Sequence, residues 1–325
     1  MYYVIVNPAS KSGRGRKIWA ELEPAFKEKD IPYQTVFSKG AGHVTRIVKK
    51  LTARLAEYPE ASPVRLIILG GDGTLNEALQ GISDFDRVWL GYIPTGSSND
   101  LARDLRLSGK PQEILSSILE DKVKRIVDLG LVTYHNISEE RSRLHSEDIE
   151  SKRFFIVSSG IGFDAAVCEE ALASRFKNTL NRLGFGKLTY LVIALRQLIA
   201  AKPASCELYL DGSAEPVHLD KLLFTAFMIH KYEGGGFKFC PDADDTDGLL
   251  DLCVAGNIPK PVILFALPTA FWGKHYMFSQ IRHYNAKSVR LESSTPLWVH
   301  TDGEVYIKSN NITVSCIPQK IHFLM

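Results

Sequence analysis

Three glycine-containing turns, each following an apolar run, hold most of the side chains that could do chemistry at one place. After "YYVIV" comes "NPASKSGRGRK", with Asn7, Ser10, Gly13 and Gly15 among Lys11, Arg14, Arg16 and Lys17. After "VRLIIL", with no spacer, comes "GGDGTLNE" (residues 70–77), and after "VWLGYI" comes "PTGSSND". Glycines let backbone N–H groups approach a phosphate, and a following helix N-terminus adds a favourable field. The hydroxyls of Ser10, Thr74 and Ser97 can donate to phosphate oxygens, and the basic residues of the first turn balance their charge. Any one of these loops reads equally well as an ordinary turn with Asp capping the next helix. Three at successive strand ends point to a phosphate cradle.

The elements that must position these turns alternate over the first 127 residues. Strand-like runs ("YYVIVNP", "YQTVFS", "RLIIL", "VWLGYIP") are separated by helical spacing, as in "HVTRIVKKLTARLAEY", where Val44, Ile47, Val48, Leu51 and Leu55 share one face. This pattern predicts a doubly wound α/β domain with a parallel sheet, and ligands bind outside the carboxyl ends of such strands. Past Val127 strand-like runs follow one another, from "FFIVSSG" through "LLFTAFMIH" to "IHFLM", with Asp-Gly pairs at turns. That predicts a mainly antiparallel β-sandwich over 128–325, interrupted by one helical interval near 164–201. The polar stretch "HNISEERSRLHSEDIES" (135–151) reads as an exposed excursion.

Composition narrows the function. At 325 residues, 45% hydrophobic and 23% charged, the chain fits two ordinary globular domains. A formal net charge of +2 argues against a nucleic-acid binder. The five cysteines are scattered with no CxxC, so they read as reduced core residues, not a disulfide frame or zinc site. No basic n-region precedes the first strand and no apolar run approaches the ~20 residues of a bilayer span, so the expectation is a cytoplasmic protein. "SGIGFDA" (159–165) loosely matches a dinucleotide fingerprint, but no Asp or Glu occurs from Ala171 to Cys206, where a ribose-binding acid would sit. A Walker A loop is also absent from the sequence.

"VNPASKSGRG", "GGDGTLNE" and "PTGSSNDLAR" resemble the motifs of the diacylglycerol kinase catalytic-domain family, which includes bacterial lipid kinases and the sphingosine and ceramide kinases. The resemblance continues through "GIGFDA", "GGGFKFCPDADDTDGLLDL" and "HTDGE", in order and over nearly the whole chain. It implies an ATP-binding domain related to NAD kinases and phosphofructokinases, followed by a β-sandwich. It implies ATP contacts from Asn7, Ser10, Gly13, Ser38 (where the family usually has Thr), Gly71, Asp72, Gly73, Thr74, Leu75, Asn76, Glu77 and Ser97. Asp72 and Asp100 would hold a catalytic Mg2+, although a helix N-terminal acid explains Asp100 on its own.

Asp-Gly occurs at 72, 211, 247 and 302. The pairs at 211 and 302 both read as hairpins, and only the second is followed by a glutamate. The resemblance makes that glutamate, Glu304, the general base for a lipid hydroxyl. It also implies a structural Mg2+ on the Asp247 carboxylate with the carbonyls of Asp244 and Leu249, where the residues alone read as a solvated acidic turn. The implied acceptor is a membrane lipid, diacylglycerol first, with sphingoid bases, ceramide, phosphatidylglycerol and polyprenols as alternatives. NAD kinase and a non-catalytic lipid-binding protein are the rivals outside this class.

A lipid kinase must meet a bilayer. Residues 174–202 carry six basic residues and no acid, which suits an anionic inner leaflet, and "FWGKHYMFSQIRHY" is a second aromatic and basic candidate. Peripheral association with the inner face of the membrane is the expectation; a homodimer is left open.

Overall fold

The computed structural model describes residues 1–58, 62–136, 138, 151–173 and 186–325. They form two units, Met1–Leu129 with Ile317–Met325, and Gly130–Cys316.

In the first unit the apolar runs become β1 (Tyr2–Val6), β2 (Tyr33–Phe37), β3 (Val64–Gly70) and β4 (Val88–Pro94). All pair in parallel, in the order β2-β1-β3-β4. Between β1 and β2, where "RGRKIWAELEPAFKEK" has helical spacing, the chain forms three short helices, α1 (Ser10–Gly13), α2 (Gly15–Leu22) and α3 (Pro24–Glu28). Pro24 explains the last break, since its ring suits a first helical turn and not an interior. Further on come α4 (His43–Glu57), α5 (Asp72–Gly81), α6 (Asp100–Asp104) and α7 (Pro111–Ile118).

Val4, Val6, Ile67 and Leu69 bury one sheet face against Trp19, Leu22, Phe26, Leu115 and Ile118. Each such side chain contributes ~1.5–3 kcal/mol on leaving water. α4 and α5 touch at Gly81, where an added Cβ would lie 2.5 Å from the Thr45 carbonyl oxygen.

The division expected at 127/128 is corrected at the carboxyl end. Ile317–Met325 belongs to the first unit, because His322–Leu324 extends the parallel sheet beside β4. The Gln319 N–H bonds the Asp128 carboxylate at 2.8 Å and Lys320 bridges Asp86 at 2.6 Å, fixing the tail there. Sequence proximity assigned "IHFLM" to the sandwich; a buried strand needs a partner, and this one's partner is distant in sequence.

The second unit contains β5 (Val123–Asn136, entering from the first unit), β6 (Lys152–Phe155), β7 (Ser158–Gly162), β8 (Ala204–Leu210), β9 (Val217–Met228), β10 (Leu250–Gly256), β11 (Ile281–Ala286), β12 (Ser288–Thr301) and β13 (Glu304–Leu324, returning to it). Antiparallel pairing runs β11-β10-β9-β7-β12-β13, and β8 joins both β9 and β12. "KSVRLES" and "LWVHT", read separately in the sequence, form the single strand β12, whose pairing slips between Glu292 and Leu297 around Pro296. A proline cannot donate to the ladder, which accounts for the slip.

Alternate residues feed two cores. Ile161, Phe227, Leu252, Val299 and Ile307 line one. Phe224, Ala226, Met228 and Cys253 line the other, beneath α8 (Phe163–Ala173), α9 (Gly186–Ala200) and α10 (Lys260–Thr269). Most of the polar excursion (137 and 139–150) and the basic segment 174–185 lie outside the described residues. Among the described residues no helix is long and apolar enough to cross a membrane.

Candidate active site

The order β2-β1-β3-β4 changes direction between β1 and β3, where an open parallel sheet forms its crevice. There the three turns converge. The Asn7 N–H bonds the Leu69 carbonyl at 2.9 Å and the Thr95 N–H bonds the Gly70 carbonyl at 2.7 Å. Asn7 Nδ2 donates to Thr74 Oγ1 at 2.9 Å. Ser10 Oγ donates to the Asn7 carbonyl and accepts from Thr95 Oγ1, both at 2.8 Å. The polar side chains after β1, β3 and β4 thus tie the strand ends together.

Glycine is required where two of these turns cross. A Cβ on Gly96 would sit 2.7 Å from the Gly71 Cα, and one on Gly71 would sit 3.0 Å from the Gly96 Cα. Gly96→Ala should therefore part the backbones, costing about 1–3 kcal/mol by overpacking and weakening nucleotide binding. Thermal denaturation with and without ATP checks both effects; an unchanged melting point would show that the crossing can relax.

Asp72 opens α5 in its first turn. Its Oδ1 accepts from Tyr92 Oη at 3.1 Å and its Oδ2 from the Asp100 N–H at 3.2 Å. Asn99 makes this approach possible by entering α6 at φ +50°, a left-handed conformation that Asn tolerates. Its Oδ1 accepts the Gly96 N–H at 2.8 Å. Asp100 is buried, with Oδ1 2.6 Å from Arg103 Nη1. Asp72 is thus oriented by the Tyr92 hydroxyl and the Asp100 N–H, and the Asp100 carboxylate meets Arg103.

In the second unit the hairpins at 211 and 302 are built alike. Asp211 (φ +50°) accepts the Lys287 and Ser288 N–H groups at 2.8 and 2.9 Å. Asp302 (φ +49°) accepts those of Ile156, Val157 and Ser158 at 3.0, 2.8 and 3.1 Å. Asp302 is thus a backbone clamp, and Glu304 begins the strand just beyond it, half-buried.

The residue two positions before Asp302 carries no local signal of its surroundings in the sequence. His300, fully buried, places Nε2 3.0 Å from Glu233 Oε1 and 3.3 Å from Asp164 Oδ2, while the Gly303 N–H lies 3.2 Å from its Nδ1. Burial pushes the imidazole pKa down, but the charge of Glu233 and the hydrogen bonds to both carboxylates outweigh it and hold the ring well above its usual value. Nε2 lies between the two acids, and Asp164, Glu233 and His300 each bring one potential ligand atom within 4.8 Å of the others, a set close enough to share a proton or a metal ion. Gly160 makes room: a Cβ there would lie 1.9 Å from Asp164 Oδ2.

Burial raises the Asp164 carboxyl from its ordinary value, opposed by the hydrogen bond and charge of His300 and aided by the charge of Glu233. A raised acid favours the fold at low pH and loses that contribution as pH climbs through its folded value. The stability of the native chain relative to Asp164→Asn should therefore fall from about pH 4 upward. Paired thermal melts across pH measure this; a difference growing with pH would refute the assignment.

Residues 1–132 match the diacylglycerol kinase catalytic domain, and residues 156–325 match the YegS C-terminal NAD kinase beta sandwich-like domain. The chain belongs to the diacylglycerol kinase catalytic-domain family. It is a lipid kinase by that membership. It is 28% identical over 300 residues to a diacylglycerol kinase of Mycobacterium tuberculosis (strain ATCC 25618 / H37Rv), covering 92% of this chain and 87% of that one. It is 26% identical over 305 residues to a diacylglycerol kinase of Bacillus subtilis (strain 168), covering 93% and 88%. A crystal structure of a diacylglycerol kinase from Bacillus anthracis str. Sterne shares the fold, with a TM-score of 0.70 at 21% identity over 99% of this chain and 96% of that one.

Within this lipid kinase the other expected nucleotide contacts divide. Ser97 and Gly13 are exposed, and Ser38, Gly71 and Gly73 are partly so. Leu75 and Asn76 are fully buried inside α5 and offer a ligand no surface, which corrects their expected role. Glu77 is turned to α4, where its Oε2 accepts the Val44 N–H at 3.2 Å and its carbonyl accepts Thr45 Oγ1 at 2.8 Å. Its position at the end of a contiguous motif gives no sign of this, because the partner helix lies elsewhere in the chain.

In the acidic turn Asp244 Oδ1 accepts Thr246 Oγ1 at 2.7 Å, and Asp247 Oδ1 accepts the Leu249 N–H at 2.9 Å. Both carboxylates are exposed, and Asp245 is the buried member, with Oδ2 3.7 Å from His230 Nδ1. An exposed carboxylate beside backbone carbonyls is an all-oxygen donor set, which fits a hard cation such as Mg2+. Asp72, at a strand end beside two glycines, fits the same ion with phosphate oxygens as the remaining ligands.

Proposed function

We propose that the chain transfers the γ-phosphoryl group of ATP to the hydroxyl of diacylglycerol, giving phosphatidic acid. The observation that carries this reading is the convergence of the three turns around Asp72 at the β1/β3 switch point. The names of the relatives support diacylglycerol as acceptor. In this reading the backbone of Gly71, Gly73 and Thr74 and the hydroxyls of Ser38 and Ser97 bind the nucleotide phosphates. Asp72 holds the catalytic Mg2+, and Asp100 supports Asp72 through its N–H. When bound, that ion supplies charge neutralisation on the transferring phosphoryl group. Asp247, with the Asp244 and Leu249 carbonyls, holds a second, structural ion.

Glu304 takes the proton of the lipid hydroxyl as the oxygen attacks phosphorus; the bond to the β-phosphate oxygen breaks and ADP leaves. Peripheral contact with an anionic membrane delivers the lipid. Incubation with labelled ATP and Mg2+ and a panel of lipid alcohols in vesicles tests the reading. Label in phosphatidic acid supports it; label only in another lipid reassigns the acceptor.

A further inference from the structure

α10 and the segment after it form an unusual surface. From Lys260 to Trp272, "KPVILFALPTAFW", only Lys260 and Thr269 are polar. Ile263, Ala266 and Ala270 face inward and are buried, as amphipathic packing requires. The outward side is apolar as well: Leu264 is 47% exposed, Phe265 72% and Trp272 70%. A helix apolar all round is ordinarily covered on every side or meets a membrane.

The exposed rings are held in place. Phe271 stacks on Phe237 at a centroid distance of 3.9 Å. Gly273 turns the chain at φ +67°. Beyond it, His275 Nε2 and Tyr276 Oη meet the Phe239 carbonyl at 3.0 and 2.6 Å, leaving Met277 outward and 74% exposed. α9 continues the surface, since Lys260 Nζ bonds the Ile199 carbonyl at 2.7 Å, and Val192 and Ile199 are exposed.

Charge distinguishes between occupants. No Asp or Glu occurs from Leu252 to Leu291, whereas Lys260, Lys274, Arg282, Lys287 and Arg290 do. Exposed aromatic side chains flanked by lysines, on a stretch of chain without Asp or Glu, match the anionic headgroup boundary of a bilayer, where Trp partitions and each nearby Lys is worth ~1 kcal/mol. We propose that Leu264, Phe265, Trp272 and Met277, flanked by Lys260 and Lys274, form the membrane-docking face and insert into an anionic leaflet. This rests on the lipid-kinase reading for its purpose, but not for its test.

The test is co-sedimentation with phosphatidylcholine vesicles, with and without phosphatidylglycerol, for the native chain and for Phe265→Ser/Trp272→Ser. The exposed positions should leave the melting curve unchanged. Loss of binding on the order of 10-fold or more per aromatic side chain is expected, with a blue shift of tryptophan emission in the native chain only. Turnover of diacylglycerol in vesicles should fall in parallel, while turnover of a dispersed short-chain diacylglycerol should not. Equal sedimentation of the two proteins would overturn the proposal. So would a dimer, seen by analytical ultracentrifugation, that the double variant abolishes while vesicle binding persists, since a second copy would then own the face. Native binding that the double variant loses, without turnover of either diacylglycerol, would uphold the face and remove the kinase reading.

Discussion

Glu304→Gln should bind ATP normally and lose about 10²- to 10⁴-fold in phosphoryl transfer, the usual range for a general base. The amide preserves size and strand position but cannot accept the hydroxyl proton. The neighbouring acid is poorly suited to replace it, because the Asp302 carboxylate already receives three backbone N–H groups. A residual rate should survive, since a loose transition state draws most of its stabilisation from positioning and charge. Asp211→Asn is the control. It alters a hairpin of the same construction, φ +50° with two accepted N–H groups, that has no glutamate beyond it. Its activity should match the native chain. Equal loss in both variants would mean that the measurement reports hairpin integrity; full activity in Glu304→Gln would remove the base assignment.

The comparison of these two hairpins shows what a sequence can and cannot carry. Asp-Gly with a left-handed aspartate is local chemistry, so both turns were legible from two residues. The identity of the partners was not. Ile156–Ser158 clamp Asp302 from about 145 positions away, and nothing in either segment encodes the other. The same holds for the cradle. Its strands and glycines are written in runs of apolar residues and in turn chemistry, and the parallel order follows from alternation. But Tyr92, which orients Asp72, reads in sequence as one more apolar strand residue. His300 lies within "HTDGE", yet nothing local marks it, because its environment is made by Asp164 and Glu233, brought to it by α8 and the 231–241 loop. The return of Ile317–Met325 to the first unit was hidden for the same reason. Periodicity identifies a strand without naming its neighbour.

Asp72→Asn is expected to leave the fold intact and to reduce magnesium-dependent turnover by about 10²- to 10³-fold, the effect of removing one preorganised electrostatic contact. The turn is set by Gly70, Gly71 and Gly96, where any Cβ would collide, and not by the carboxylate. Asparagine can accept the Asp100 N–H with Oδ1 and donate from Nδ2 to Tyr92 Oη, whose hydroxyl can accept, so the melting curve should overlay that of the native chain. What the amide loses is the charge that attracts a divalent ion. The deficit should appear as a raised magnesium requirement in addition to a lower rate, and titration of Mg2+ at saturating ATP separates the two. Tyr92→Phe sharpens the test. It keeps the charge and removes one donor from Oδ1, so it should cost less than Asp72→Asn without the same displacement in magnesium requirement. If Asp72→Asn turned over normally with an unchanged melting curve, Asp72 would be only the first-turn acid of α5. The ion would then have to be held elsewhere, and Asp100, already bound to Arg103, would need to exchange that partner to take it.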